Sequence, residues 1–241
     1  MTRIRGAVFD KDGTLIDFSA SWRGMVEGML QDYAAGDEAL ANTLGLAIGY
    51  DRRTGLFLPG SPIVADSTDV VAGLIAELLS GPTAAEIEAD ANRRAAASGA
   101  GDDSGVAPVA GLREAINRLK DMELHLGIAT HDGEAAARTH ASVLGILDEM
   151  SYIVGYDSGE GQKPGPGMVL GFCRVTGLAP ADIVMVGDSV HDLEAGKSAG
   201  VAASVAVLTG PATERELAPL ADVVLPSVAE LPDYLSTNFP A

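Results

Sequence analysis

Three short apolar runs, residues 4–9, 124–129 and 183–186, each deliver a polar residue at their C-terminal end. The first runs into Asp10, the second into Thr130 and His131, the third through Gly187 into Asp188. Largely apolar runs of this length read as strands buried on both faces, the mark of a parallel sheet. Residues 152–154, before Gly155, and residues 201–207 repeat the pattern, and residues 223–225 add an edge strand. Between them apolar residues fall at helical spacing, as in Leu112, Ala115, Ile116 and Leu119, or Val169, Leu170, Phe172 and Val175. Strand and helix in alternation predict an α/β fold, a Rossmann-like parallel sheet wrapped by helices. Ligands of such sheets gather outside the carboxyl ends of the strands, where these polar residues stand.

Residues 18–106 break the alternation. Trp22, Met25, Val26, Met29, Leu30 and Tyr33 mark one face of a long helix, and Leu40, Leu44 and Ile48 mark a second. Val70, Val71, Leu74, Ile75, Leu78 and Leu79 mark a third, capped by Thr68 or Asp69. Thr83 and Glu86 have the spacing of a capping box that opens a fourth. Residues 98–105, rich in glycine and acid, read as a linker. The expectation is an α/β core of residues 1–17 and 107–241 carrying an all-helical insert.

The formal net charge is −18, from 34 acidic and 16 basic residues. Such a surface repels nucleic acid and anionic membranes. An anionic small molecule then needs local positive charge, and Lys11, Lys120, Lys163 and Lys197 are the only lysines. With one cysteine, Cys173, no internal disulfide forms. No apolar stretch is long enough to span a membrane, and the N-terminus lacks the apolar core of a signal peptide. The reading is a cytoplasmic protein, monomer or homodimer.

Asp10-Lys11-Asp12-Gly13-Thr14-Leu15 places two carboxylates at i and i+2 past a strand. In that geometry Asp10 can act as a nucleophile and Asp12 as a proton donor and acceptor. Taken alone, the same letters also describe a solvated acidic turn. Gly187-Asp188-Ser189-Val190-His191-Asp192 offers oxygens to a hard dication, although Asp192 is equally an acid favoured by a helix start. Lys163, between Gln162 and Pro164, can neutralise a nucleophile and phosphoryl oxygens, or simply sit in a surface loop. The Thr130 hydroxyl and the N–H groups after it can hold a phosphoryl oxygen.

Asp, Thr, Lys and Asp, each after a strand and in this order, resemble the haloacid dehalogenase superfamily, in its phosphoglycolate phosphatase-like branch. The resemblance rests on FDKDGTL, IAT, Lys163 and VGDSVHDLEAG, and spans residues 1–17 and about 107–225. It implies Asp10 as nucleophile, Asp12 as acid and base, and Thr130 and Lys163 as phosphate ligands. It also implies Mg²⁺ on Asp10, the Asp12 carbonyl and Asp188, with Asp192 in support. The insert stands where that branch carries its cap, and the interval between Thr130 and Lys163 leaves no room for a second. Superfamily members that cleave carbon–halogen bonds lack the second aspartate, so Asp12 points to phosphate chemistry.

The function expected is hydrolysis of a small phosphorylated metabolite through an aspartyl-phosphate. The alternatives are phosphoryl transfer within a sugar phosphate and non-catalytic binding on the same fold. His131 is a further candidate for the substrate site. Arg53 is a candidate for a second anionic group on the substrate. Lys11 is expected to point away from the site, His191 to point outward, His140 to be an ordinary helix residue, and Trp22 to serve packing.

Overall fold

The computed structural model describes residues 3–58, 60–97 and 105–240; the predicted linker lies outside them except for Gly105. Strand β1 (Gly6–Phe9) comes first. The insert follows as α1 (Phe18–Ala34), α2 (Glu38–Ala47), β2 (Tyr50–Asp51), β3 (Leu56–Phe57), α3 (Pro62–Ala65), α4 (Thr68–Ala76) and α5 (Ala84–Ala97). The chain then returns through α6 (Leu112–Asp121), β4 (His125–Ala129), α7 (Glu134–Val143), β5 (Met150–Val154) and α8 (Gly167–Thr176). It ends with β6 (Ile183–Gly187), α9 (Val190–Ala199), β7 (Ala203–Val207), α10 (Glu214–Leu217), β8 (Val223–Leu225) and α11 (Leu231–Asn238).

Six strands form one sheet in the order β5-β4-β1-β6-β7-β8, every pairing parallel. From β1 the chain fills one side of the sheet and then the other, so the strand order reverses beside β1. The crevice for a ligand opens there. Alternation along β1 sends Ala7 and Phe9 into a core with Ile116, Leu119, Ile128 and Val186. Val8 goes to the opposite face with Met168, Phe172 and Met185. Each fully buried side chain of this size contributes roughly 1.5–3 kcal/mol, and these two layers hold the strand ends still.

The insert has an apolar core of its own. Trp22, Val26, Met29 and Leu30 of α1 pack with Leu44, Ile48, Ile75 and Ile87, joined by Ala136 of α7. Asp17 caps α1, accepting from the Ala20 N–H at 2.9 Å. The box at Thr83 and Glu86 closes both ways, at 2.8 and 3.3 Å, and opens α5 as predicted. The N-cap of α4 is Ser67 rather than Thr68 or Asp69.

The insert is not all-helical. After Gly49 turns the chain at φ 79°, Tyr50 pairs antiparallel with Phe57 around a turn at residues 52–55. Their rings stack 4.9 Å apart and close the floor of the insert's core. A two-residue strand is too short for an alternating pattern to show in the sequence.

Where the chain leaves the core and where it returns, the two segments run side by side. Val109 N–H donates to the Leu15 carbonyl at 3.1 Å and Asp17 N–H to the Ala107 carbonyl at 2.9 Å. Ile16 and Pro108 form an antiparallel bridge between them. Among the described residues no helix is long and apolar enough to cross a membrane.

Candidate active site

Asp10 stands one residue past β1, its N–H tied to the Val186 carbonyl of β6 at 2.9 Å. Lys163 reaches it from the loop after β5. The Lys163 Nζ lies 2.6 Å from Asp10 Oδ1, 2.6 Å from Asp192 Oδ1 and 3.0 Å from the Ala129 carbonyl. All three side chains are buried. Burial lowers the ammonium's affinity for its proton, but the two carboxylates outweigh it and hold Lys163 charged, above the usual lysine range. The surface-loop alternative for Lys163 is thereby excluded.

Asp188 lies past β6, its Oδ1 accepting from the Thr14 hydroxyl at 2.9 Å. Gly13 makes that approach possible: its φ is +84°, and a Cβ there would fall 2.3 Å from Asp188 Oδ2. Asp192 fits its helix-start reading. Its Oδ2 accepts from the Ser189 N–H at 3.0 Å and from the Ser189 hydroxyl at 2.6 Å, completing a capping box for α9. Its Oδ1 pairs with Lys163.

Asp10, Asp188 and Asp192 offer oxygens that all lie within 4.8 Å of one another. Three buried carboxyl groups share one ammonium, which contacts Asp10 and Asp192, and burial drives up the proton affinity of two of them. Asp10 is raised to about 7, by burial first, with Lys163 opposing and Asp192 and Asp12 adding. Asp188 is raised well above the carboxylate range by burial and then by Asp10 and Asp192. Asp192 is held low: burial works against it, but Lys163 and Ser189 prevail. An all-oxygen donor set with surplus negative charge fits a hard divalent cation. With Asp192 occupied by Lys163 and Ser189, one oxygen each of Asp10 and Asp188 remains to face it.

Asp12 corrects two expectations. Its Oδ1 accepts from the Trp22 indole Nε1 at 2.5 Å, so Trp22 does more than pack. Its Oδ2 pairs with the Lys11 ammonium. Lys11 does not point away: its side chain is 1% exposed, with Nζ 3.2 Å from Asp132 Oδ2 and 5.1 Å above the Trp22 ring. Asp12 and Asp132 prevail over burial and hold Lys11 charged. His140 completes this cluster. It is fully buried, its Nε2 2.9 Å from the Ala95 carbonyl and its ring 5.2 Å from Trp22. Its Nδ1 makes no hydrogen bond and lies 4.0 Å from Asp132 Oδ2, and burial, followed by the charge of Lys11, keeps the ring neutral. The sequence signal for the cluster was Lys11 itself, a cation between two acids at the end of a buried strand.

Thr130 is buried at the end of β4, its hydroxyl accepting from the Asp132 N–H at 3.1 Å. His131 turns its ring toward the insert. Nδ1 lies 2.9 Å from the Ala65 carbonyl and Nε2 3.0 Å from the Lys163 carbonyl. Burial, and then Lys163, lower it to about 4, so the neutral ring donates to one of these carbonyls at a time. His191 does not point outward: its Nδ1 lies 2.9 Å from the same Ala65 carbonyl, and the two imidazoles are 5.8 Å apart. Two core loops therefore meet the end of α3 at one oxygen.

A cavity of about 110 Å³ opens over Asp10, Asp12, Thr130, Lys163 and Asp188 and is roofed by the insert. Arg53 does not reach it. That side chain is 82% exposed and pairs with Asp51 at 3.4 Å, because the hairpin turn directs it outward. Arg52 is taken up by Glu27 and Glu38.

A family model described as haloacid dehalogenase-like hydrolase matches residues 4–200. A phosphoglycolate phosphatase of Chromobacterium violaceum is 37% identical over 128 residues, 53% of this chain and 56% of that protein. The chain thus spans little more than half the length of this first curated relative. A phosphoglycolate phosphatase of Pectobacterium atrosepticum is 28% identical over 83% of this chain and 79% of its own. A crystal structure from Haemophilus somnus, described as a predicted phosphoglycolate phosphatase, superposes with a TM-score of 0.76 at 19% identity. It covers 97% of this chain and 99% of that one.

Proposed function

Because the chain belongs to the haloacid dehalogenase-like hydrolases, we propose that it hydrolyses a small phosphomonoester through a phosphorylated Asp10. The observation that carries this reading is Lys163, buried between Asp10 and Asp192 at 2.6 Å from each, with Asp188 beside them. A lysine so placed works against the burial that favours protonated Asp10, and offers positive charge to phosphoryl oxygens.

In the first step an Asp10 carboxylate oxygen attacks phosphorus, and the bond from phosphorus to the ester oxygen breaks. Asp12 gives its proton to the departing alkoxide. In the second step Asp12 takes a proton from water, whose oxygen attacks the phosphoryl group, freeing Asp10 and inorganic phosphate. Thr130 and Lys163 hold the phosphoryl oxygens through both steps. The His131 ring, occupied by the Ala65 and Lys163 carbonyls, shapes the site through its backbone and the closed insert. Asp10, the Asp12 carbonyl and Asp188 are the ligands we assign to Mg²⁺, with Asp192 orienting Lys163. When bound, the ion neutralises charge that builds on the phosphoryl oxygens. The insert of residues 18–106 acts as the cap, excluding bulk water from the reacting groups.

Hydrolysis of p-nitrophenyl phosphate with Mg²⁺, with a chelator, and by the Asp10→Asn variant tests the reading. Expected is metal-dependent turnover that Asp10→Asn abolishes. Turnover that survives in the variant would overturn the assignment of the nucleophile.

A further inference from the structure

Among the described residues, the wall that the insert presents to the cavity carries no cation. Phe18, Met25, Val26, Met29, Ile63 and Val64 line it, with Asp66 and Thr68 as its charged and hydroxylic members. The insert has five arginines and neither lysine nor histidine, and none of the five lines the cavity. Arg52 and Arg53 are paired with Glu27 and Asp51, Arg93 and Arg94 with Asp90, and Arg23 is exposed. Lys163 is the one Lys or Arg among the lining residues, and it is committed to Asp10 and Asp192.

A phosphate ester bound at Asp10 directs its alcohol portion at this wall. A carboxylate or second phosphate there would meet no cation and be brought toward the acid Asp66, which is disfavoured. A polyhydroxyl chain would find few groups to satisfy it, whereas an alkyl or aryl group would meet methionine, valine, isoleucine and phenylalanine side chains. Resting on the phosphatase reading above, we infer that the substrate is a phosphomonoester of an uncharged, predominantly apolar alcohol. Phosphoglycolate and sugar phosphates fall outside that class. Water adds across the bond from phosphorus to the ester oxygen, releasing the alcohol and inorganic phosphate.

The test compares kcat/KM for hexyl phosphate, benzyl phosphate, 2-phosphoglycolate and glucose 6-phosphate in the full chain with Mg²⁺. Expected is a preference of at least tenfold for the two apolar esters. A Met25→Arg variant, which sets a cation in the wall, should shift the ratio toward phosphoglycolate by tenfold or more. Equal rates on all four esters, or a preference for phosphoglycolate or glucose 6-phosphate, would overturn the substrate class while leaving the phosphatase reading intact. Absence of any turnover that depends on Asp10 would instead overturn the phosphatase reading. The substrate class is then decided by calorimetry on the Asp10→Asn variant with Mg²⁺: tighter binding of hexyl phosphate than of phosphoglycolate supports it, and the reverse or equal affinity refutes it.

Discussion

The indole N–H of Trp22, on the first helix of the insert, donates to the carboxylate of Asp12, in the loop after the first core strand, at 2.5 Å. The group assigned to proton transfer is thus gripped by a residue of the roof, and its geometry depends on where the roof lies. Trp22→Phe keeps the ring and removes the donor. We expect kcat on an alkyl phosphate to fall about tenfold with KM little changed. p-Nitrophenyl phosphate, whose leaving group needs no proton, should lose far less. Steady-state kinetics on the two esters checks this, and equal losses on both would contradict the role given to the indole.

Lys11 holds Asp12 on one side and Asp132 on the other from a site that is 1% exposed. Removing one partner of a buried ion cluster leaves charge without compensation, typically at a cost of about 3–5 kcal/mol. Lys11→Met is expected to destabilise the fold by about 3 kcal/mol in urea unfolding. Adding Asp132→Asn should recover part of the loss, since it removes one stranded carboxylate. A double variant no more stable than Lys11→Met would show that Asp132 is not coupled to Lys11.

Asp10, raised from 3.8 to about 7 by burial, favours its protonated form in the folded, metal-free protein. A carboxyl raised in the fold contributes stability that is complete below about pH 4 and is lost as the pH climbs through 7. Asp188 shifts in the same direction, while Asp192 shifts in the other. His131 and His140, held neutral in the fold, oppose this as the pH falls below about 6.5; with the two raised carboxyls prevailing, the metal-free protein should melt lower at pH 8 than at pH 5.5. Mg²⁺ should raise the melting temperature more at pH 8, where it no longer competes with protons. For a chain of this size each kcal/mol is worth about 2–4 °C. Thermal scans at both pH values, with and without Mg²⁺, check the sign.

Gly210, in the loop after β7, faces Asp188 so closely that a Cβ would fall 1.7 Å from Asp188 Oδ2. Gly210→Ala must displace that carboxylate. The half-saturating Mg²⁺ concentration is expected to rise at least tenfold while the far-ultraviolet dichroism stays native. An unchanged metal requirement would remove Asp188 from the ligand set.

Asp10, Thr130, Lys163 and Asp188 were legible from the sequence because an apolar strand ends where its first polar residue begins, and a parallel sheet gathers those ends. Lys11 was not. The direction of a loop side chain is decided by what receives it, and here Trp22, Asp132 and His140 come from three separate segments. Trp22 read as packing because an apolar stripe shows which face of a helix is buried, not which polar group the indole N–H will meet. His131 and His191 share the Ala65 carbonyl, and a contact with backbone leaves no trace in residue identity. Arg53 promised charge by its position between β2 and β3, and the hairpin turned it outward.

The paired segments at Leu15–Asp17 and Ala107–Val109 have a bearing on ancestry and engineering. The whole insert that roofs the cavity is threaded through one narrow doorway whose two jambs are already fastened together. A cassette cut at that doorway can be exchanged for another of different lining, and the sheet, with Asp10 and Lys163, keeps its own hydrogen bonds. Such a replacement leaves the sheet intact, but it must bring its own donor to the place of Trp22 if Asp12 is to stay where it is.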